Sequence, residues 1–162
     1  MTGKADDALA AALRLLTSRG RSHHELGKQL ARRGFSPDEC AGVLEKVAAL
    51  GYLDDRALAL ARATSLLRDR GQGPAAVRAR LRLQGFGEED LRVALETATA
   101  ELGYDPLASA RALLKKRRLE GALSPKERAR AARLLQGRGF EEGLIEALLP
   151  GSGVLDSSGH DD

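Results

Sequence analysis

The chain has 162 residues, of which 43% are hydrophobic and only 3% aromatic, and it carries a net charge of +3. This hydrophobic content excludes an intrinsically disordered chain, and no apolar run approaches the length of a membrane span. Ala, Leu, Arg and Glu are abundant while strand-forming residues are scarce, which predicts an all-α protein. The single Cys permits no internal disulfide and the N-terminus has no basic signal region, so we expect a cytoplasmic protein.

The charge is unevenly spread along the chain. Three of the 23 acids lie in residues 151–162, which contain no Lys or Arg, so the first 150 residues carry a net charge of +6. Between Arg111 and Arg138 there are ten bases and only two acids, Glu120 and Glu127. A basic block of this kind indicates a polyanionic partner, although charged helix surfaces exposed to water are also ordinary.

The first third of the chain predicts three helices. The first has apolar residues on one face at Leu9, Leu13 and Leu16. The second begins with a capping box, Ser22 with Glu25, and the third begins at Ser36-Pro37. Its expected buried residues are Cys40, Val43, Leu44 and Val47.

The middle third repeats this order. Asp54 or Asp55 is expected to cap a helix that runs to about Arg70, with Leu60, Thr64 and Leu67 on one face. A joint at residues 71–73 precedes Pro74, which starts the next helix. The buried positions of its second and third helices are predicted at Val77, Leu81, Leu91, Ala94 and Leu95.

The last third opens with another cap, Asp105-Pro106, and a helix that extends through the basic run 115–118 until Gly121 breaks it. Ser124-Pro125, with Glu127 three residues after Ser124, starts the second helix. Pro150 stops a short third helix, and the Gly, Ser and Asp of residues 151–162 predict a disordered tail.

Every aromatic residue in the chain follows a glycine, which predicts five helix ends of one type. Glycine adopts the left-handed conformation at C′ without steric cost, and we expect each aromatic ring to fold back onto the last turn of its helix. The Gly-Phe pairs recur at spacings of 51 and 54 residues and the Gly-Tyr pairs at a spacing of 52, which indicates an internal repeat. They are Gly34-Phe35, Gly51-Tyr52, Gly85-Phe86, Gly103-Tyr104 and Gly139-Phe140.

The repeat predicts three tandem three-helix units resembling helix-turn-helix domains, over residues 8–52, 53–104 and 105–150, followed by the tail 151–162. A unit of about 50 residues buries too little core alone, so neighbours must share contacts. We therefore expect an elongated, curved array, and a monomer.

No arrangement of residues predicts catalysis, a metal or a cofactor. His23, His24, Cys40 and His160 lack the spacing of a metal site, and no Ser or Cys has a base in recognisable register. Cys40 occupies a position where the other repeats have Leu91 and Ile145, which makes it a core residue. We therefore expect a protein that is not an enzyme.

Basic residues recur on the first two helices of each repeat, several at a spacing of four residues that places them on one helix face. Because the aromatics are assigned to helix ends, any nucleic-acid contact would be to the backbone and independent of sequence. The candidate contact residues are Lys28, Arg32, Arg33, Arg78, Arg82, Lys115, Lys116, Arg117, Arg118, Lys126, Arg128 and Arg130.

The segments 21–36 and 50–56 resemble the RecX family, modulators of the RecA recombinase. The shared pattern is a Ser-x-x-Glu-Leu helix that ends in Gly-Phe, followed by Gly-Tyr-Leu-Asp-Asp, and it extends over about residues 8–149. The structural signature comprises Ser22, Glu25, Asp54, Asp55 and the five Gly-aromatic pairs.

The resemblance implies three-helix units lodged in the groove of the RecA–DNA filament, where they impede ATP hydrolysis, filament growth and strand exchange. That role belongs to DNA recombination, DNA repair and the SOS response, and the family has no catalytic residues to transfer. Related sequences often have aromatics in the helices that correspond to 57–67 and 126–136, and this chain has none there.

Two other functions remain open on the sequence. A stand-alone DNA-binding protein with helix-turn-helix-like units would suit the same charge. A protein-only adaptor would also suit it, and charge reversal at Arg117, Arg118, Arg128 and Arg130 would then leave nucleoprotein binding unchanged.

Overall fold

A computed structural model describes residues 3–151, and within that range it contains helices and turns but no strand, which confirms the all-α class. The nine helices of this range begin close to the predicted caps. Their bounds are α1 Gly3–Ser18, α2 His23–Arg32, α3 Pro37–Ala49, α4 Asp55–Arg68, α5 Pro74–Leu83, α6 Glu88–Leu102, α7 Pro106–Lys116, α8 Pro125–Gly137 and α9 Glu142–Leu148.

The chain divides into two compact units. Unit 1 comprises Met1–Ala63 with Arg78–Ala98, and unit 2 comprises Thr64–Val77 with Thr99–Asp162. Each helix of the middle repeat contributes residues to both units. The three repeats with boundaries at 52 and 104 stay a prediction, and the predicted tail, apart from Gly151, lies outside the described residues.

All five Gly-aromatic pairs form the predicted helix end. The glycines have φ of +88° at Gly34, +78° at Gly51, +84° at Gly85, +55° at Gly103 and +79° at Gly139. In each case the aromatic N–H donates to the carbonyl five residues earlier, as Tyr52 N does to Val47 O at 2.9 Å. The glycine N–H also donates to the carbonyl three residues earlier, which completes a Schellman motif.

The expectation that all five rings fold back is wrong for Tyr52. Its backbone follows the motif, but 59% of the residue is exposed, and the following Leu53 enters the core instead. Phe86 and Phe140 are buried, whereas Phe35 and Tyr104 are half-buried. The backbone turn therefore recurs more strictly than the packing of the ring, because the turn depends on a local backbone conformation that glycine adopts readily.

Small residues form much of the buried face of α1 and α4 in unit 1. In α1 the buried residues are Ala8, Ala11, Ala12 and Leu15, and the predicted stripe of Leu9, Leu13 and Leu16 packs only partly against this core. In α4, Ala59 and Ala63 are buried in place of the predicted Leu60 and Thr64, whereas Leu67 is buried as predicted. Hydrophobicity alone predicts that Leu and not Ala faces the core. Alanine can nevertheless be the buried residue, because its small side chain allows two helix axes to approach more closely.

Most of the predicted core positions of the remaining helices are confirmed, although Leu44 of α3 is only partly buried. In unit 1, Cys40, Val43 and Val47 of α3 are buried with Leu26 and Leu30 of α2. In unit 2, Ala131, Leu135 and Ile145 form a core with α7. Leu81 and Leu91 are fully buried as well.

Glycine permits a close backbone approach within unit 2. The Gly73 N–H donates to the Arg138 carbonyl at 2.6 Å. A Cβ added at Gly139 would overlap the backbone nitrogen of Ala76, and one added at Gly73 would overlap the carbonyl oxygen of Gly139. Gly139 is therefore required both for its positive φ and for the space its missing side chain leaves.

We expect Gly139→Ala to lower the free energy of unfolding by about 2–3 kcal/mol, because the left-handed conformation and the backbone overlap both oppose a side chain. Gly103→Ala is the matched control, since φ is also positive there but a Cβ would meet nothing within 4 Å. That variant should lose only about 1 kcal/mol. Chemical denaturation of the full chain measures both, and equal losses would contradict the close approach at Gly139.

Candidate functional site

The family signature residues of α2 form a hydrogen-bond network inside unit 1. Ser22 is fully buried, and its Oγ accepts from the Glu25 N–H at 3.1 Å and donates to the Gln84 carbonyl at 2.9 Å. The Glu25 carboxylate accepts from the Ser22 N–H at 3.0 Å. The capping box of α2 is thus tied to the end of α5 as well as to its own helix.

Arg62 of α4 completes this network. Its guanidinium donates to both Glu25 carboxylate oxygens, at 2.9 and 3.2 Å, and to the carbonyl of Gly20 at 2.9 Å. It also lies over the Phe86 ring, 5.4 Å from the centroid. Burial raises the pKa of the Glu25 carboxyl, but the hydrogen bonds from Arg62 and Ser22 and the positive charges of Arg62 and Arg19 outweigh it and hold the pKa below its ordinary value.

The segment 54–56 also makes contacts within unit 1. Asp54 caps α4 by accepting from the Ala57 N–H at 2.9 Å. Asp55 instead accepts from the backbone N–H of His23 at 2.9 Å, and the His23 ring lies 3.1 Å from the same oxygen. Arg56 approaches Asp90 at 3.5 Å. This signature therefore has an internal structural role, which leaves the basic residues as the candidates for binding a partner.

Lys28 and Arg32 line a small pocket in unit 1, of about 210 Å³, together with Arg19 and Arg21. Burial and the neighbouring Arg19 charge lower the pKa of the Arg21 guanidinium, although Glu25 opposes this. Arg33, the third candidate on this repeat, is exposed but does not line the pocket. Four cations in one pocket around a single carboxylate would attract an anionic partner.

Three other candidates are engaged by neighbouring groups. Arg82 and Arg78 approach the carboxylate of Glu88 at 2.5 and 3.7 Å. Arg128 donates to the Pro150 carbonyl at 3.1 Å. Exposed ion pairs of this kind are weak, so Arg78 and Arg82 can exchange the Glu88 carboxylate for an anionic group of a partner.

Unit 2 contains a larger basic cleft of about 910 Å³ between the C-terminal ends of α4 and α8 and one side of α7. It brings together Lys116 and Arg117, which the sequence singled out, with three bases that it did not. Among the described residues, the five bases of this cleft are Arg68, Arg70, Lys116, Arg117 and Arg138, and its single acid is Asp69. Arg68 donates to Asp69 at 2.8 Å, so four bases remain without that neutralisation.

Helix α7 ends at Lys116, and not at Gly121 as the sequence predicted. The reason is a sixth Schellman motif, in which the Leu119 N–H donates to the Leu114 carbonyl at 2.9 Å and Leu119 is buried. Its C′ position is occupied by Arg118, with φ of +55°, the one non-glycine residue of positive φ in the described chain. No sequence signal marks this end, because arginine stands where the other ends have glycine.

Lys115, Arg118, Lys126 and Arg130 are exposed and lie outside the cleft lining. Within residues 3–151 no group of three His, Cys, Asp or Glu could hold a metal. Burial, and next the Glu39 charge, raise the pKa of the Cys40 thiol, which suits a core residue and not a nucleophile. No helix in this range could cross a membrane.

Comparison with known proteins decides the family. A regulatory protein RecX from Thermus thermophilus is 40% identical over 138 residues, which cover 85% of this chain and 87% of that protein. The chain belongs to the RecX family. Another regulatory protein RecX, from Halorhodospira halophila, is 37% identical over 90% of this chain and 88% of its own length. The family model for RecX, first three-helix domain, matches residues 8–47.

Two solved RecX structures share the fold. The RecX from Lactobacillus salivarius matches with a TM-score of 0.77 and 17% identity, covering 96% of this chain and all of that one. A second crystal structure, of a regulatory protein RecX, matches with a TM-score of 0.76 and 23% identity over 89% of this chain and 72% of its own. The helical fold is therefore that of the RecX family.

Because of the RecX signature network, we expect replacement of Arg62 by alanine to destabilise the fold more than the same replacement of Arg92. Arg62→Ala should lower the free energy of unfolding by about 2–3 kcal/mol, because it leaves the half-buried Glu25 carboxylate without its main partner. Arg92→Ala is the control, since Arg92 also contacts two carboxylates but is 49% exposed. Its loss should stay below about 1 kcal/mol. Urea denaturation compares the two, and equal costs would show that the network adds no stability.

Proposed function

We propose that this protein is a non-enzymatic regulator of homologous recombination and DNA repair that binds the RecA–DNA filament. Bound there, it inhibits ATP hydrolysis by RecA, filament growth and strand exchange, and it acts in the cytoplasm as a monomer. The observation that carries the proposal is membership of the RecX family over most of the chain, at 40% identity to a regulatory protein RecX.

The structure supports this proposal through the placement of its charges. The signature residues of unit 1 are engaged with one another, so they are not free to form a catalytic site. Several basic residues instead line a pocket in unit 1 and a cleft in unit 2. Surfaces of this kind suit a polyanionic nucleoprotein, with contacts to the DNA backbone that are independent of sequence.

The test is a RecA ATPase assay on single-stranded DNA at moderate salt. Near-stoichiometric protein should lower the steady-state rate of ATP hydrolysis, because bound regulator blocks filament growth and turnover. Replacing Lys28 and Arg32 by Glu should weaken this inhibition, and raising the salt should weaken it for the native chain as well. No inhibition by the native chain would overturn the proposal.

The second candidate function is a stand-alone DNA-binding protein, which the basic cleft of unit 2 favours. Binding to bare duplex, to bare single strand and to a RecA-coated strand separates the two. A filament regulator should prefer the coated strand, since it gains contacts to protein as well as to phosphate. Co-sedimentation across a salt series measures this preference, and tighter binding to bare DNA would favour the second candidate.

A further inference from the structure

We propose that the basic cleft of unit 2 is a phosphate-backbone site that holds a nucleic-acid strand directly. The inference deepens the proposed function, on which it rests for its biological setting, by assigning the DNA contact to one cleft. The other basic surfaces, including the pocket of unit 1, are then left to a protein partner. Three features of the cleft carry the inference, namely its net charge, the hydrogen bonds that hold its shape and its lining, and a strained residue beside it gives further support.

The net charge of the cleft stays positive after its helix ends are counted. The last turns of α4, α7 and α8 line it, and each helix C-terminus carries about half a negative charge. Because Arg68 is neutralised by Asp69, the positive charge comes from Arg70, Lys116, Arg117 and Arg138. The four positive charges of these bases and the about one and a half negative charges of the three helix ends leave a net charge of roughly +2.5. The bases therefore carry more charge than is needed to neutralise the helix ends.

The cleft is also held in shape by unit 2 itself. The Gly73 N–H donates to the Arg138 carbonyl at 2.6 Å, and the Arg138 Nη1 donates to the Arg70 carbonyl at 2.8 Å. These bonds fix the segment after α4 against the end of α8. A site whose cations are positioned before the ligand arrives loses less entropy on binding than a set of free surface lysines.

The lining favours a phosphate backbone over a base or a peptide. No aromatic residue is among the described residues that line the cleft, so bases have nothing on which to stack. Leu67 and Leu113 are its large apolar residues, and both are buried in unit 2 and offer no anchor for a peptide side chain. Guanidinium groups with several N–H donors match phosphate oxygens, and about 910 Å³ leaves room for more than one phosphate.

Arg118 gives an independent indication beside the cleft. It holds the left-handed conformation that glycine takes at the five Gly-aromatic helix ends, at a cost of about 1 kcal/mol. A non-glycine residue in this conformation points to a function that outweighs the strain. Here the function is charge, because Arg118 follows Arg117 and extends the positive surface beyond the lining.

The test compares two double variants with the same loss of charge. Lys116→Ala with Arg117→Ala removes two bases of the cleft, and Arg111→Ala with Arg133→Ala removes two exposed bases of α7 and α8 outside the lining. Fluorescence anisotropy measures binding to a labelled single-stranded oligonucleotide across a salt series, without RecA.

We expect the cleft variant to bind roughly tenfold more weakly than the native chain, and its salt slope to fall by about 0.7 for each phosphate contact removed. The control should bind as the native chain does. Equal weakening of both variants, or of neither, overturns the inference. If the cleft variant does not fold by circular dichroism, Arg70→Ala with Lys116→Ala takes its place under the same expectations.

Two competition measurements show whether the cleft binds phosphate groups or carboxylate groups. Polyphosphate should displace the oligonucleotide from the native chain, whereas polyglutamate of the same length should do so poorly. A cleft variant that keeps oligonucleotide binding but loses polyglutamate binding overturns the inference in favour of an acidic protein segment.

The inference and the proposed function fail separately. A native chain that binds the oligonucleotide through the cleft but does not inhibit RecA retains the inference and refutes the regulator. A native chain that inhibits RecA, but whose oligonucleotide binding is independent of the cleft, supports the regulator and refutes the inference.

Discussion

The structure depends on a helix end in which one residue takes a left-handed conformation and the next returns a hydrogen bond to the last turn. Five of these ends use glycine and a sixth uses Arg118. Each turn satisfies two carbonyls that would otherwise lack partners, and it sets the direction in which the next helix starts. After the ends at Gly34 and Arg118, capping boxes at Ser36 and Ser124 begin the next helix within a few residues. Short, well-defined connections follow, and they allow small repeats to pack.

Local chemistry made much of the fold predictable. A capping box spans four residues and a Schellman motif spans six, so both can be found in the sequence without knowing what packs against them. The predictions were wrong where packing decides. The buried stripe of α1 is formed largely by alanines, and Tyr52 makes its turn but leaves its ring in water. Which side of a helix is buried depends on a neighbour whose position no local pattern contains.

The same limit applies to the candidate site. Lys116 and Arg117 are visible in the sequence as part of a basic run, but Arg70 and Arg138 are 68 residues apart and join the cleft through the bonds at Gly73 and Arg138. Conversely, Asp54 and Asp55, the most specific part of the family signature, cap a helix and hold His23. A signature can identify a family because it builds the fold, without touching the partner.

This division of roles bears on how the chain departs from its family. The signature network of unit 1 is half-buried and its members depend on one another, since Glu25 without Arg62 keeps only the Ser22 N–H and the more distant charge of Arg19. Except for the half-buried Arg138, the bases of the cleft are exposed, and each of these contributes little to stability. Partner-facing residues can therefore change while the signature network cannot.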